Sequence, residues 1–170
     1  MEHISELSSS LNAHFKWNKA RMTCFVQMLL ALFTTRTINL NRLACVINSS
    51  AAEQSSRYRR LQRFFAGFTI DFEMIAGFIL GLFFVAGGKW YLTMDRTNWK
   101  WGKSNINILT LGIVYKGAAI PIYWELLDKC GNSGTAERIA LIGKFIKTFG
   151  KESIAGLLCD REFIGQDWFE

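Results

Sequence analysis

The sequence predicts a mixed α and β chain: a helical region over residues 1–70, a connecting helix over 71–88, and a segment of order β-β-β-α-β over 89–170. Three observations carry this. Apolar residues recur at helical spacing up to residue 70, and they alternate or run continuously in short stretches from residue 90 on. An uncharged run, Met74–Gly88, separates the two textures. The charge divides at the same place. Residues 1–70 hold nine Lys and Arg against three Glu, and residues 71–170 hold eleven basic and eleven acidic residues, so the net +6 lies wholly in the first part. A basic helical region beside a neutral remainder points to a polyanion partner for the former.

Half of the 170 residues are hydrophobic, which supports a sizeable core and excludes intrinsic disorder as the main state. A single Pro and no low-complexity tract exclude collagen-like and linker-rich classes. The polar start MEHISELSSS is not a signal peptide. Cys24, Cys45, Cys130 and Cys159 form no metal-ligand spacing, so they read as reduced core residues of a cytosolic protein.

In the first region, Met22, Phe25, Val26, Leu29, Leu30 and Phe33 define one helix, which Thr34–Thr37 breaks. Leu40, Leu43, Ala44 and Ile47 define a short second helix capped by Asn39. Asn48-Ser49-Ser50 is a turn, and a third helix runs from about residue 51 or 55 to Phe65. Two short helices around a polar turn resemble a helix-turn-helix. On the last helix Arg57, Arg60 and Arg63 share a stripe, Arg59 lies beside it, and Tyr58, Leu61, Phe64 and Phe65 face inward. A solvated face would explain a charge run, but only Glu53 is near enough to balance it, so phosphate contact is favoured.

The run Met74–Gly88 is 15 residues long, short of the roughly 20 that span a bilayer. It reads as a buried helix capped by Asp71, with Ile75, Phe78, Ile79 and Leu82 on one face. No membrane partner is expected.

Lys89–Thr93 is a strand leading to Asp95, and Asn105–Tyr115 is a second. After a Lys116-Gly117 turn comes a third, Ala118–Leu126, whose Pro121 marks an edge. GNSG at 131–134 is a loop, Thr135–Phe149 an amphipathic helix with Thr135 as its cap, and Ile154–Cys159 a short apolar strand ending at Asp160. The three-strand meander and the crossover helix bring the last strand parallel to the first. Asp95 and Asp160 then emerge at one edge of one sheet, where two carboxylates suit a hard divalent cation and two-metal phosphoryl transfer. A lone Asp at a strand end is more often a turn or helix cap. Arg96 and Arg161 beside the pair would suit a phosphodiester. Trp99, Lys100, Trp101 and Lys103 interleave aromatic and basic side chains, which serve either an unpaired nucleic-acid strand or a hairpin connection with one Trp on the core.

The stretch MDRTNWKWGKSNINILTLGIVYKGAAIPIYWELLDKCGNSGTAER, followed by LLCDREFIG, closely resembles the DDE transposases of bacterial insertion sequences, in particular the insertion-sequence-four type. The likeness covers essentially the whole chain, including SSRYRRLQRFF upstream. It implies a ribonuclease H-like domain, incomplete here, and DNA strand cleavage and transfer with Mg²⁺ or Mn²⁺. Asp95 and Asp160 match the first two catalytic acids. The implied partners are double-stranded DNA of the transposon ends and target, with a homodimer on that DNA and a cytoplasmic, nucleoid-associated location. The third acid of the family lies in a Tyr-x2-Arg-x3-Glu-x6-Lys pattern that neither Glu162 nor Glu170 fits, so the expectation is a fragment inactive alone. A DNA-binding remnant without catalysis, acting as a repressor-like module, is the competing expectation.

Overall fold

A computed structural model describes residues 2–47, 53–84 and 87–165. The chain forms two compact units, Met1–Asp71 and Phe72–Glu170.

The first unit is helical: α1 (Glu2–His14), α2 (Lys19–Thr35), α3 (Leu40–Val46) and α4 (Gln54–Gly67). The side chain of Asn18 caps α2 by accepting from the Arg21 amide at 2.9 Å. Asn39 caps α3 as expected, accepting from the amides of Asn41 at 3.0 Å and Arg42 at 3.2 Å. The core joins Cys24, Met28 and Ala31 of α2, Leu43 and Ala44 of α3, and Leu61 and Phe64 of α4. Phe65 does not face inward: it is 52% exposed. α1 carries Leu7 and Leu11 at helical spacing, and Leu11 is buried. The turn expected at Asn48–Ser50 lies outside the described residues.

The second unit contains α5 (Phe72–Phe83), β1 (Trp90–Trp101), β2 (Ser104–Tyr115), β3 (Ala118–Leu126), α6 (Thr135–Phe149) and β4 (Ile154–Cys159). The strands form one mixed sheet of order β3-β2-β1-β4. β1–β2 and β2–β3 are antiparallel, and β4 runs parallel to β1. α6 packs Leu141 and Phe145 against the face carrying Leu92, Met94, Leu109, Leu111 and Ile113. The Lys116-Gly117 turn has φ of 49° and 82°, the primed geometry that matches strand twist. Pro121 does lie on the edge strand, next to a bulge that makes Ile122 and Tyr123 consecutive buried residues.

Four further expectations need correction. β1 does not end at Asp95 but continues to Trp101, because the hairpin with β2 holds it in register as far as Trp101↔Ser104. α5 is not a buried helix: Ala76 is its only fully buried residue, and Leu82 is 61% exposed. Its apolar side chains exceed what one core face can cover. α6 is preceded at the cap position by Gly134, whose amide is held by Glu137 Oε2 at 2.6 Å, so Thr135 is already helical. Of the four free cysteines only Cys24 is a core residue. Cys45, Cys130 and Cys159 are exposed, on a short helix, in a loop and on the edge strand.

Among the described residues no single helix is long and apolar enough to cross a membrane.

Candidate functional site

The parallel register builds the carboxylate site. β1 and β4 pair through Leu92↔Leu157, Thr93↔Leu158 and Met94↔Cys159, and pairing stops there. Asp160 keeps an extended backbone, φ −72° and ψ 166°, so the next step of the register sets it beside Asp95. Aligned residues of parallel strands point to the same face, and successive residues alternate. Met94 and Leu92 are buried toward α6, so Asp95 and Asp160 both belong to the opposite face, where both are exposed.

Each carboxylate uses one oxygen locally. Asp95 Oδ1 accepts from the Arg96 amide at 2.7 Å, and Asp160 Oδ1 accepts from the Arg161 amide. Both aspartates are exposed. Asp160 thereby caps the short 3₁₀ turn Arg161–Phe163. Capping and metal binding are compatible, because a carboxylate has lone pairs to spare.

The turn after Asp160 is anchored from two sides. Arg96 donates Nε to Glu162 Oε1 and Nη2 to Glu162 Oε2, both at 3.0 Å. Its Nη2 also reaches Asn132 Oδ1 at 3.1 Å. Arg138 of α6, only 6% exposed, donates to Ser133 Oγ at 3.0 Å, to Ser133 O at 2.8 Å and to Glu162 O at 3.0 Å. Its guanidinium lies 4.8 Å from the Phe163 ring centre. The bond to Glu162 first, then the nearby charges of Glu162 and Asp95, hold the Arg96 guanidinium above its ordinary range. Arg96 is therefore a structural tie and not the phosphodiester contact expected of it, whereas Arg161 is exposed. The roles of Glu162, Arg138 and Ser133 were not signalled, because they depend on a loop, a helix and a turn meeting in space.

Two carboxylates are oxygen donors of the kind Mg²⁺ takes, since that ion is commonly held by one or two carboxylates together with substrate phosphates. Among the described residues no group of three or more His, Cys, Asp or Glu side chains is placed to hold a metal ion.

In the helical unit the four arginines of α4 separate into two kinds. Arg57 donates Nη1 to Ile47 O at 2.7 Å. Arg60 donates to Gln27 Oε1 at 3.2 Å and Ala20 O at 3.1 Å. Both are half-buried ties between helices, so the expected Arg57, Arg60, Arg63 stripe is not a uniform solvent face. Arg59 and Arg63 are exposed. A groove of about 260 Å³ between α2 and α4 is lined by Arg21, Arg60 and Arg63, so folding adds Arg21 to the basic surface.

On the β1–β2 hairpin, Trp99 is 45% exposed, and Lys100 and Lys103 are exposed. Trp99 does not cap the core. As strand neighbours, Trp99 and Lys100 leave the backbone on opposite faces. The side chain of Trp101 lies outside the description.

No family model, curated protein or solved structure matches this chain.

Proposed function

We propose that the chain serves DNA transposition in the manner of a DDE transposase: the helical unit binds duplex DNA, and the sheet supplies Asp95 and Asp160 as two of the metal-holding acids. One observation carries the reading. The β1–β4 register ends at Met94↔Cys159, and Asp95 and Asp160 are the next residue of each chain segment, both exposed. A ribonuclease H-like fold would use that edge in the same way.

A divalent ion held there would activate the attacking oxygen and stabilise the leaving one. The chain's own residues do the positioning. Asp95 is fixed by the continuous strand, and Asp160 by the turn that Arg96 and Arg138 anchor. Arg59, Arg63 and Arg21 offer charge to DNA phosphates.

Calorimetry with Mn²⁺, in the presence of duplex DNA, tests the reading. The native chain binds the ion, and Asp95→Asn and Asp160→Asn each weaken binding about tenfold or more. Unchanged Mn²⁺ binding in both variants overturns the catalytic reading. If DNA affinity persists in that case, a non-catalytic DNA-binding module is what remains.

A further inference from the structure

A cleft of about 410 Å³ lies along the β1–β2 hairpin, apart from the carboxylate pair, and is bordered by Asn98, Lys100, Asn105, Asn107, Lys129 and Gly131. Its size falls in the range of small-molecule sites. Asn107 is its most informative wall. It is 2% exposed, and its Nδ2 donates to Lys129 O at 3.1 Å and Gly131 O at 3.0 Å. Those two carbonyls need a donor, which fixes the amide orientation. The other atom, Asn107 Oδ1, is a buried acceptor with no partner. Such a group costs free energy until a donor reaches it.

The cleft's charge narrows the choice of donor. Among the described residues no acidic side chain lines it, and Lys100 and Lys129 do. Lys129 is bound to Glu137 at 2.7 Å, which uses one of its three N–H groups. The Glu137 carboxylate offsets the charge of Lys129, so Lys100 is what would repel a cationic amine. A neutral N–H donor attached to an anion satisfies both features. We infer that this cleft takes one unpaired nucleotide whose base carries an exocyclic amino group, with that group on Asn107 Oδ1 and the phosphate on Lys100 and Lys129. Adenine and cytosine offer the amino group, and thymine does not. The inference rests on the DNA reading only for the source of the nucleotide, a strand unpaired near the processed end.

Fluorescence anisotropy of the full chain with labelled single-stranded hexamers tests it. Hexamers of deoxyadenosine and deoxycytidine should bind at least about fivefold tighter than hexamers of thymidine. Replacing adenine by purine, which lacks only the amino group, should cost the same factor. Lys100→Ala should weaken all hexamers with an unchanged circular dichroism spectrum. Competition by free deoxyadenosine monophosphate would make the nucleotide itself sufficient, whereas its failure beside hexamer binding would assign the site to a strand. Equal affinity for adenine, purine and thymine hexamers overturns the inference, as does no effect of Lys100→Ala or no hexamer binding at all. Loss of duplex binding with the hexamer preference intact would instead count against the DNA reading of the helical unit alone. These comparisons use the native chain first, so a variant of Asn107 that failed to fold would not weaken them.

Discussion

Arg96 and Glu162 meet across the sheet edge in a two-bond pair, 3.0 Å on each arm, that fastens the turn after Asp160 to the strand carrying Asp95. The Arg96 side chain is 11% exposed and that of Glu162 27%. Removing the acid leaves a nearly buried guanidinium without its hydrogen-bonded counter-charge, with Asp95 the remaining nearby acid. Glu162→Ala should therefore lower stability by about 1–3 kcal/mol, less than a fully buried pair would lose because Glu162 still sees solvent. Arg96→Met should cost less, and Arg96→Met with Glu162→Ala should recover part of the loss. Urea midpoints of the four proteins decide it, and simple additivity would show that the pair is not coupled.

The arginines of α4 should divide by function. Arg59→Ala and Arg63→Ala should leave stability unchanged, weaken duplex DNA binding across sequences, and each lower the slope of log affinity against log salt by about 1. Arg57→Ala and Arg60→Ala should instead cost about 1 kcal/mol of stability each through the lost bonds to Ile47, Gln27 and Ala20. Anisotropy titrations at several salt concentrations, set beside urea melts, separate the two effects. An exposed pair that left the salt slope unaltered would remove α4 from the DNA interface.

That division shows where the sequence stops being legible. Periodicity placed α2, α3, α4, α6 and all four strands, because an amphipathic face is written in neighbouring residues. It also brought Asp95 and Asp160 together, since the meander and crossover leave few topologies open. It could not say which arginine is used up. Arg57 and Arg60 look like Arg63 in sequence, yet their partners lie 10 and 33 or more residues away. Arg96 is illegible for the same reason: its acid lies 66 residues downstream. Helical spacing predicts which side chains share a face, not what other elements that face will meet.

Glu137 should make α6 sensitive to acid. The Lys129 ammonium above all, helped by the Gly134 amide, holds its carboxyl below the ordinary range. A carboxyl depressed by folding adds stability that is present above the unfolded pKa of about 4.3 and is lost as pH falls through the lower folded value. The native chain should therefore lose stability between about pH 5 and pH 3, and Glu137→Gln should flatten that part of the profile. At neutral pH the same substitution should cost about 0.5–1 kcal/mol as a weakened cap. Urea midpoints measured from pH 7 to pH 3 report both, and parallel profiles for the two proteins would exclude Glu137 as the source.

Two glycines of the sheet should respond differently to a methyl group. A Cβ on Gly112 would lie 3.0 Å from Thr93 Oγ1 and 3.1 Å from the Ile120 carbonyl oxygen, beside the bulge opposite Pro121. The carbonyl belongs to a paired strand and cannot retreat without breaking register. Gly112→Ala should thus destabilise by about 1–3 kcal/mol, as overpacking does. A Cβ on Gly156 would meet only the Tyr91 ring, at 3.1 Å and 3.2 Å, and Tyr91 is 54% exposed and free to swing outward. Gly156→Ala should then cost under about 1 kcal/mol, and relief of glycine's unfolded-state entropy offsets part of that. The comparison also bears on the carboxylates. Gly112 pairs with Thr93, two residues before Asp95, so strain there should weaken Mn²⁺ binding as well as stability, while Gly156→Ala should leave it close to native. Equal losses in the two variants would mean that the sheet absorbs a backbone clash as easily as a rotating ring.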